Sequence, residues 1–293
     1  MGDPEYIYGL VGSSFLEKEY ENKKYKVLIL ADQHDTLPEC PNKINIADWF
    51  IKKLHTSKIL LEEVPRINEN KLIELWANSS HTQELKNLFL TNNLISGVDI
   101  RPYMIPFSWE VLEEIDDLDT DYNLTMIEFI REIDNFFSLK NKYIISNLSN
   151  YNVHILKNTL LGKHFLLIKN KFEDYLKMLN HKKLLNKQVK YLYSKHNYEL
   201  SILNNILDSI MEWYICGQIE ISKDKSIIIH AGLAHTEKIN QWLKSHYGFQ
   251  TKYNEGINNL NEVMTTTRNG CVSLKHIDSQ FGGNKKVYYR YLK

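Results

Sequence analysis

Residues Val27-Leu28-Ile29-Leu30 constrain this chain more than any other stretch, because of how they end: Ala31-Asp32-Gln33-His34-Asp35. Four consecutive apolar residues without helical spacing predict a short strand buried on both faces, as in a parallel sheet. Polar groups placed where such a strand stops lie at the carboxyl edge of the sheet, where open α/β folds keep their ligands. About two hundred residues later the arrangement recurs in Ser226-Ile227-Ile228-Ile229-His230-Ala231-Gly232-Leu233-Ala234-His235. Both strands run into a small residue followed three positions on by histidine, Ala31-x-x-His34 and Gly232-x-x-His235.

The rest of the chain is read around these two strands. Ile46, Ala47, Phe50, Ile51 and Leu54 share one helix face, and Lys58-Ile59-Leu60-Leu61 is a second buried strand ending on Glu62-Glu63-Val64-Pro65-Arg66. Strand, helix, strand in so short a span predicts a βαβ unit. Residues 69–93 read as amphipathic helix, and Gly97–Pro102 as a third strand. From about 108 to 222 only helical spacing is found. Strand signals resume at 226, followed by a helix after His235, a strand from Phe249, and strand candidates at 271–274 and 286–289. The prediction is an α/β fold. A mostly parallel sheet flanked by helices is built from 1–107 plus 223–293, with a large helical insertion over 108–222.

Lys plus Arg and Asp plus Glu both total 36 in 293 residues, so the net charge is zero. That removes the global electrostatic argument for nucleic acid or an anionic membrane as partner. No apolar run approaches the ~18 residues needed to span a bilayer. The opening Met1-Gly2-Asp3-Pro4-Glu5 lacks the regions of a signal peptide. The three cysteines, Cys40, Cys216 and Cys271, are widely spaced and read as free thiols of a reducing compartment. The expected location is the cytoplasm.

A parallel sheet brings the ends of the three strands to one edge, gathering Asp32, His34 and Asp35, Glu62 and Glu63, and His230 and His235. Two imidazoles with carboxylates suit general acid–base attack of water, or coordination of a divalent metal that activates water. No serine elbow or adjacent cysteine offers a covalent nucleophile. Each residue also has a plainer reading. His34 could cap a helix, and His230, inside an apolar run, could be a core histidine. Glu62 and Glu63 face opposite sides of a strand, so at most one of them belongs to the site unless the chain has already turned. Arg66 and Arg101 either pair with these acids or hold an anionic substrate.

The ordered trio Ala31-Asp32-Gln33-His34-Asp35, Leu60-Leu61-Glu62-Glu63-Val64-Pro65-Arg66 and Ala231-Gly232-Leu233-Ala234-His235 resembles the superfamily of erythromycin esterases, TIKI and TraB proteins and ChaN-type haem-binding lipoproteins. The resemblance covers residues 26–66 and 226–249. Ala31 stands where the family has Gly, and Asp32 where it has a longer acid. What the resemblance implies is hydrolysis of an ester- or amide-type bond, esterase- or metallopeptidase-like, on a small-molecule or peptide substrate. By position, His34, Glu62, His235 and Asp32 would be catalytic, and Arg66, Arg101 and Asp35 would bind substrate. A divalent metal (Mn²⁺, Co²⁺ or Zn²⁺) would take His34, Glu62, His235 and His230. The rival expectation is a non-catalytic interaction protein, such as a viral accessory protein, whose helical insertion binds a protein partner. Haem binding is a third.

Overall fold

The run Val27–Leu30 lies in the buried part of a longer strand, whose exposed start at Lys23 and Lys24 is held by antiparallel pairing with the strand before it. In a computed structural model describing residues 4–33, 38–65, 83–106, 124–140, 159–263 and 270–281, the chain opens with strands β1 (Tyr6–Tyr8), β2 (Gly12–Tyr20), β3 (Lys23–Asp32) and β4 (Lys43–Asn45). Helix α1 (Ile46–Lys53), β5 (Lys58–Leu61), α2 (Gln83–Thr91) and β6 (Ile95–Gly97) come next. Then come α3 (Met126–Phe129), α4 (Arg131–Phe137), α5 (Leu160–His181), α6 (Val189–Lys195) and α7 (Asn197–Ile221). The chain closes with β7 (Ser226–Gly232), α8 (Leu233–Ser245), β8 (Gln250–Gly256), β9 (Cys271–Ser273) and α9 (Leu274–Phe281).

These elements fall into two compact units. The first comprises Met1–Glu63, Ser80–Gly97 and Ser222–Lys293. Its six-stranded sheet has the order β6-β5-β7-β3-β2-β8. Strands β6, β5, β7 and β3 are mutually parallel, and β2 is antiparallel to both β3 and β8. Five strands therefore point one way and β2 alone runs back, so the fold is α/β with a mostly parallel sheet. The reversal is made at Glu21 and Asn22, with φ of 49° and 58°, a two-residue turn of left-handed residues matching the strand twist. Where β2 starts, a Cβ on Gly12 would collide with the Ile257 carbonyl, so only glycine fits that crossing.

Side chains alternate across the sheet. Leu28, Leu30, Ile59, Leu61 and Ile228 pack with Trp49 and Phe50 of α1 and Ile277 and Phe281 of α9. Ala31 belongs to the other face, with Leu233 of α8. A second, three-stranded sheet has the order β4-β1-β9. Here the free-thiol reading fails for two cysteines. Cys40, just before β4, is disulfide-bonded to Cys271, which opens β9, with the Cα atoms 6.5 Å apart. The pairing brings together residues separated by 231 positions, which spacing along the chain does not reveal. Cys216 alone is free, and it is buried.

The second unit comprises Val64–Ser79 and Val98–Ile221. Its described elements are helices, together with one isolated bridge between Thr125 and Gln188. The third strand expected over 97–102 ends at Gly97 instead, and Arg101–Tyr103 forms a 3-10 turn. The ladder stops where its partner β5 stops, with Leu61 opposite Gly97, and the Asp99 carboxylate then accepts the Arg101 N–H at 3.1 Å and turns the chain. Phe136, Phe137, Phe165, Phe172 and Trp213 form an aromatic core, with the Trp213 indole donating to the Leu161 carbonyl at 2.9 Å. Among the described residues no helix is long and apolar enough to cross a membrane. The strand candidate at 286–289 lies outside the described residues.

Candidate functional site

The parallel register of three strands builds the site. β7 lies between β5 and β3, with Leu61 opposite His230 and Asp32 opposite Gly232. The three carboxyl ends are therefore level, and the residues just beyond them are brought to one sheet edge. Beyond β7 the chain turns at once into α8, with Gly232 as the N-cap residue and His235 in the first turn.

Glu62 comes directly after β5 and stays tied to the sheet, its main-chain N–H donating to the His230 carbonyl at 3.0 Å. Ile59 and Leu61 face α1. Alternation therefore sends Glu62 to the α8 face. Its Oε2 accepts the main-chain N–H of Gly232 at 2.7 Å, a buried, charge-assisted bond. Its Oε1 stands 3.5 Å from His235 Nε2, an ion-pair distance rather than a closed hydrogen bond. Both residues are 9% exposed. A carboxylate this deep needs compensation. It finds that in the Gly232 N–H, the positive end of the α8 dipole and the neighbouring imidazole.

Such a pair has a definite chemistry. A carboxylate at one ring nitrogen holds the proton there and leaves the opposite nitrogen basic. It also stabilises the imidazolium that forms when histidine takes a proton from water or an alcohol. Asp32, half-buried at the end of β3, is on the other flank of β7 from Glu62. Glu63 is 7% exposed and its main-chain N–H bends back to the Leu61 carbonyl at 2.7 Å.

The remaining residues singled out in the sequence separate. His230 is fully buried, with its ring edge-on to Phe50 at 5.9 Å. It shares the parity of Ile228 and so the α1 face, whereas His235 extends from α8 on the other. The structure brings Glu62 and His235 together and places His230 against Phe50. Arg101 belongs to the second unit, where Nε and Nη2 donate to the Asp99 carboxylate at 2.8 and 3.0 Å. Its Nη1 donates to Asp208 at 3.0 Å. Neither acid is marked by a sequence motif. The main-chain donor of Gly232 was equally invisible as a Glu62 partner, although the Gly-x-x-His spacing points to its neighbourhood. His34, Asp35 and Arg66 lie outside the described residues.

For a divalent metal, Oε1 of Glu62 and Nε2 of His235 are donors of a suitable kind. Among the described residues, no group of three or more His, Cys, Asp or Glu side chains is gathered to hold one. No protein-family model matches the chain, and neither a curated protein nor a solved structure matches it.

Proposed function

We propose that the protein hydrolyses an ester- or amide-type bond at the carboxyl edge of its six-stranded sheet. His235 is the general base and Glu62 holds and charges it; His34 and Asp32 are assigned catalytic roles, and Asp35 and Arg66 substrate-binding roles, by their places in the sequence motifs alone. The observation that supports this is the Glu62 carboxylate set between the Gly232 N–H and His235 Nε2. In the alternative in which Glu62, His235 and His34 hold a divalent metal, the metal and not His235 would activate the water. Residues 108–222 are read as a helical insertion in the α/β core, and the cytoplasm as the compartment.

The test is turnover of a chromogenic ester and a chromogenic anilide. His235→Ala and His34→Ala should each remove roughly 10²–10⁴-fold of the activity, the usual contribution of general acid–base catalysis. The double variant should lose little more, because groups acting as a unit are non-additive. Activity surviving all three variants sinks the proposal. Mn²⁺, Co²⁺ or Zn²⁺ that raises the melting temperature of the native chain, and not of His235→Ala, supports the metal.

One observation favours the binding-protein reading: α5 exposes Leu160, Leu166 and Leu167 at 42–45%. Under the hydrolase reading, Lys at Leu166 and Leu167 leaves turnover untouched. Absence of turnover on every model substrate would pass the lead to partner binding through the helical unit.

A further inference from the structure

The Cys40–Cys271 disulfide joins two segments of unequal security. The tail of β9 and α9 is anchored without it. Val272, Ile277 and Phe281 are buried in the core, and β9 pairs with β1. The Ser273 N–H donates to Glu255 at 2.9 Å, and Asp278 accepts from the buried Lys53 at 3.0 Å. The turn 38–42 is different. Pro38, Glu39, Pro41 and Asn42 are exposed. Main-chain bonds hold its ends: Gly270 N–H to the Pro38 carbonyl at 3.3 Å, and Glu5 N–H to the Asn42 carbonyl at 2.7 Å.

Both paired cysteines keep partial solvent exposure, which thiol–disulfide exchange with an external thiolate requires. Cys216 is buried, and that burial pushes its thiol up, out of exchange chemistry. The chain thus carries one accessible pair and no accessible third thiol among its cysteines to scramble it.

We propose that Cys40–Cys271 is a reversible thiol–disulfide latch whose reaction partner is a dithiol, and whose opening frees the turn after β3 while the β9–α9 tail stays docked. A thiolate of the dithiol attacks one latch sulfur, breaking the S–S bond and forming a mixed disulfide. The second thiol of the dithiol then displaces the remaining cysteine. Two electrons pass to the pair, two protons end on the Cys40 and Cys271 sulfurs, and the dithiol leaves as its own disulfide. Re-closing runs the same exchange backwards. The freed turn continues from the strand that carries Asp32, so the latch would regulate the hydrolytic site. That consequence alone rests on the proposed hydrolase.

The test uses the full chain purified without reductant. Alkylation after denaturation should label one thiol, Cys216, and label three once dithiothreitol has been added first. Hydrogen exchange of the native chain should then rise several-fold at the amides of 38–42 on adding dithiothreitol. Peptides over 270–281 should stay protected, and removing the reductant under oxidised dithiothreitol should restore the first pattern. Cys40→Ser and Cys271→Ser should match the reduced state, although the wild-type comparison stands without them. Three labelled thiols before reduction would overturn the proposal. So would unchanged exchange over 38–42, failure to re-close, or loosening of the tail and core together, which would make the bond a fold staple. Turnover is not read, so a failed hydrolase proposal leaves this result intact.

Discussion

Glu62 performs two tasks whose removal can be separated. Glu62→Gln keeps an oxygen for the Gly232 N–H but has no charge to offer His235. It should change stability by less than about 1 kcal/mol while activity falls with that of His235→Ala. Glu62→Leu leaves the Gly232 N–H without its acceptor and should cost a further 1–3 kcal/mol, roughly the range for an orphaned buried donor. Urea melts beside turnover assays distinguish the two, and equal destabilisation by both would contradict the geometry. Arg101 makes the opposite case. Its guanidinium is committed to Asp99 and Asp208, all three side chains being at most 16% exposed. Arg101→Ala strands two carboxylates, so a loss of about 3 kcal/mol is expected. If Arg101 instead served substrate alone, a denaturant melt would be unmoved while KM rose.

The β2–β3 hairpin shows how an element is specified by its turn. Glu21 and Asn22 both adopt left-handed backbone, which asparagine and glycine accept and glutamate resists. Replacing Glu21 with Asn should stabilise the protein by about 1 kcal/mol, read as a shift in denaturant midpoint without a change in slope. A decrease in stability would mean that the glutamate side chain, not the turn, governs this connection. Helix α8 is specified from outside itself: its N-cap is Gly232, which has no side chain to offer, and the cap contact is supplied by Glu62, 170 positions away. The carboxylate at that position also links helix formation to the candidate site.

For the molecule as a whole the formal charges balance at pH 7, and what acid removes first is the stabilisation held by particular paired carboxylates. Glu199, 4% exposed, is held below its ordinary value by the hydrogen bond from Lys182, against the opposing effect of burial. The unfolded chain therefore takes up this proton at higher pH than the folded one. The stabilisation is fully present above the ordinary carboxylate value of 4.5 and is lost as pH falls below it toward the folded value. Glu199→Gln should cost about 1 kcal/mol at neutral pH, kept modest because Lys182 is half-exposed, and should flatten the acid limb of a stability–pH curve. An unchanged acid limb would show that the pair contributes nothing to folding.

The α/β class, the buried strands at 27–31, 58–61 and 226–230 and the helix from Ile46 are legible in the sequence, because burial on one or both faces imposes a local period that few other structures share. The level ends of those strands follow from the parallel reading; strand alternation separates Glu62 from Glu63, but which of them stands beside His235 is decided by the packing of the sheet. What the sequence cannot carry is pairing between distant, locally unremarkable residues. The return strand β2 has no strong apolar period, and its place between β3 and β8 is decided by the hairpin turn and the sheet edge. His230 and His235 sit in one motif, yet the end of a strand and the start of a helix direct them to different faces. The Arg101–Asp208 pair spans 107 positions and the Cys40–Cys271 bond 231. Hydrophobic pattern is a property of neighbours along the chain. A buried charge or a thiol acquires its partner only when tertiary packing sets the two segments side by side and removes the water between them.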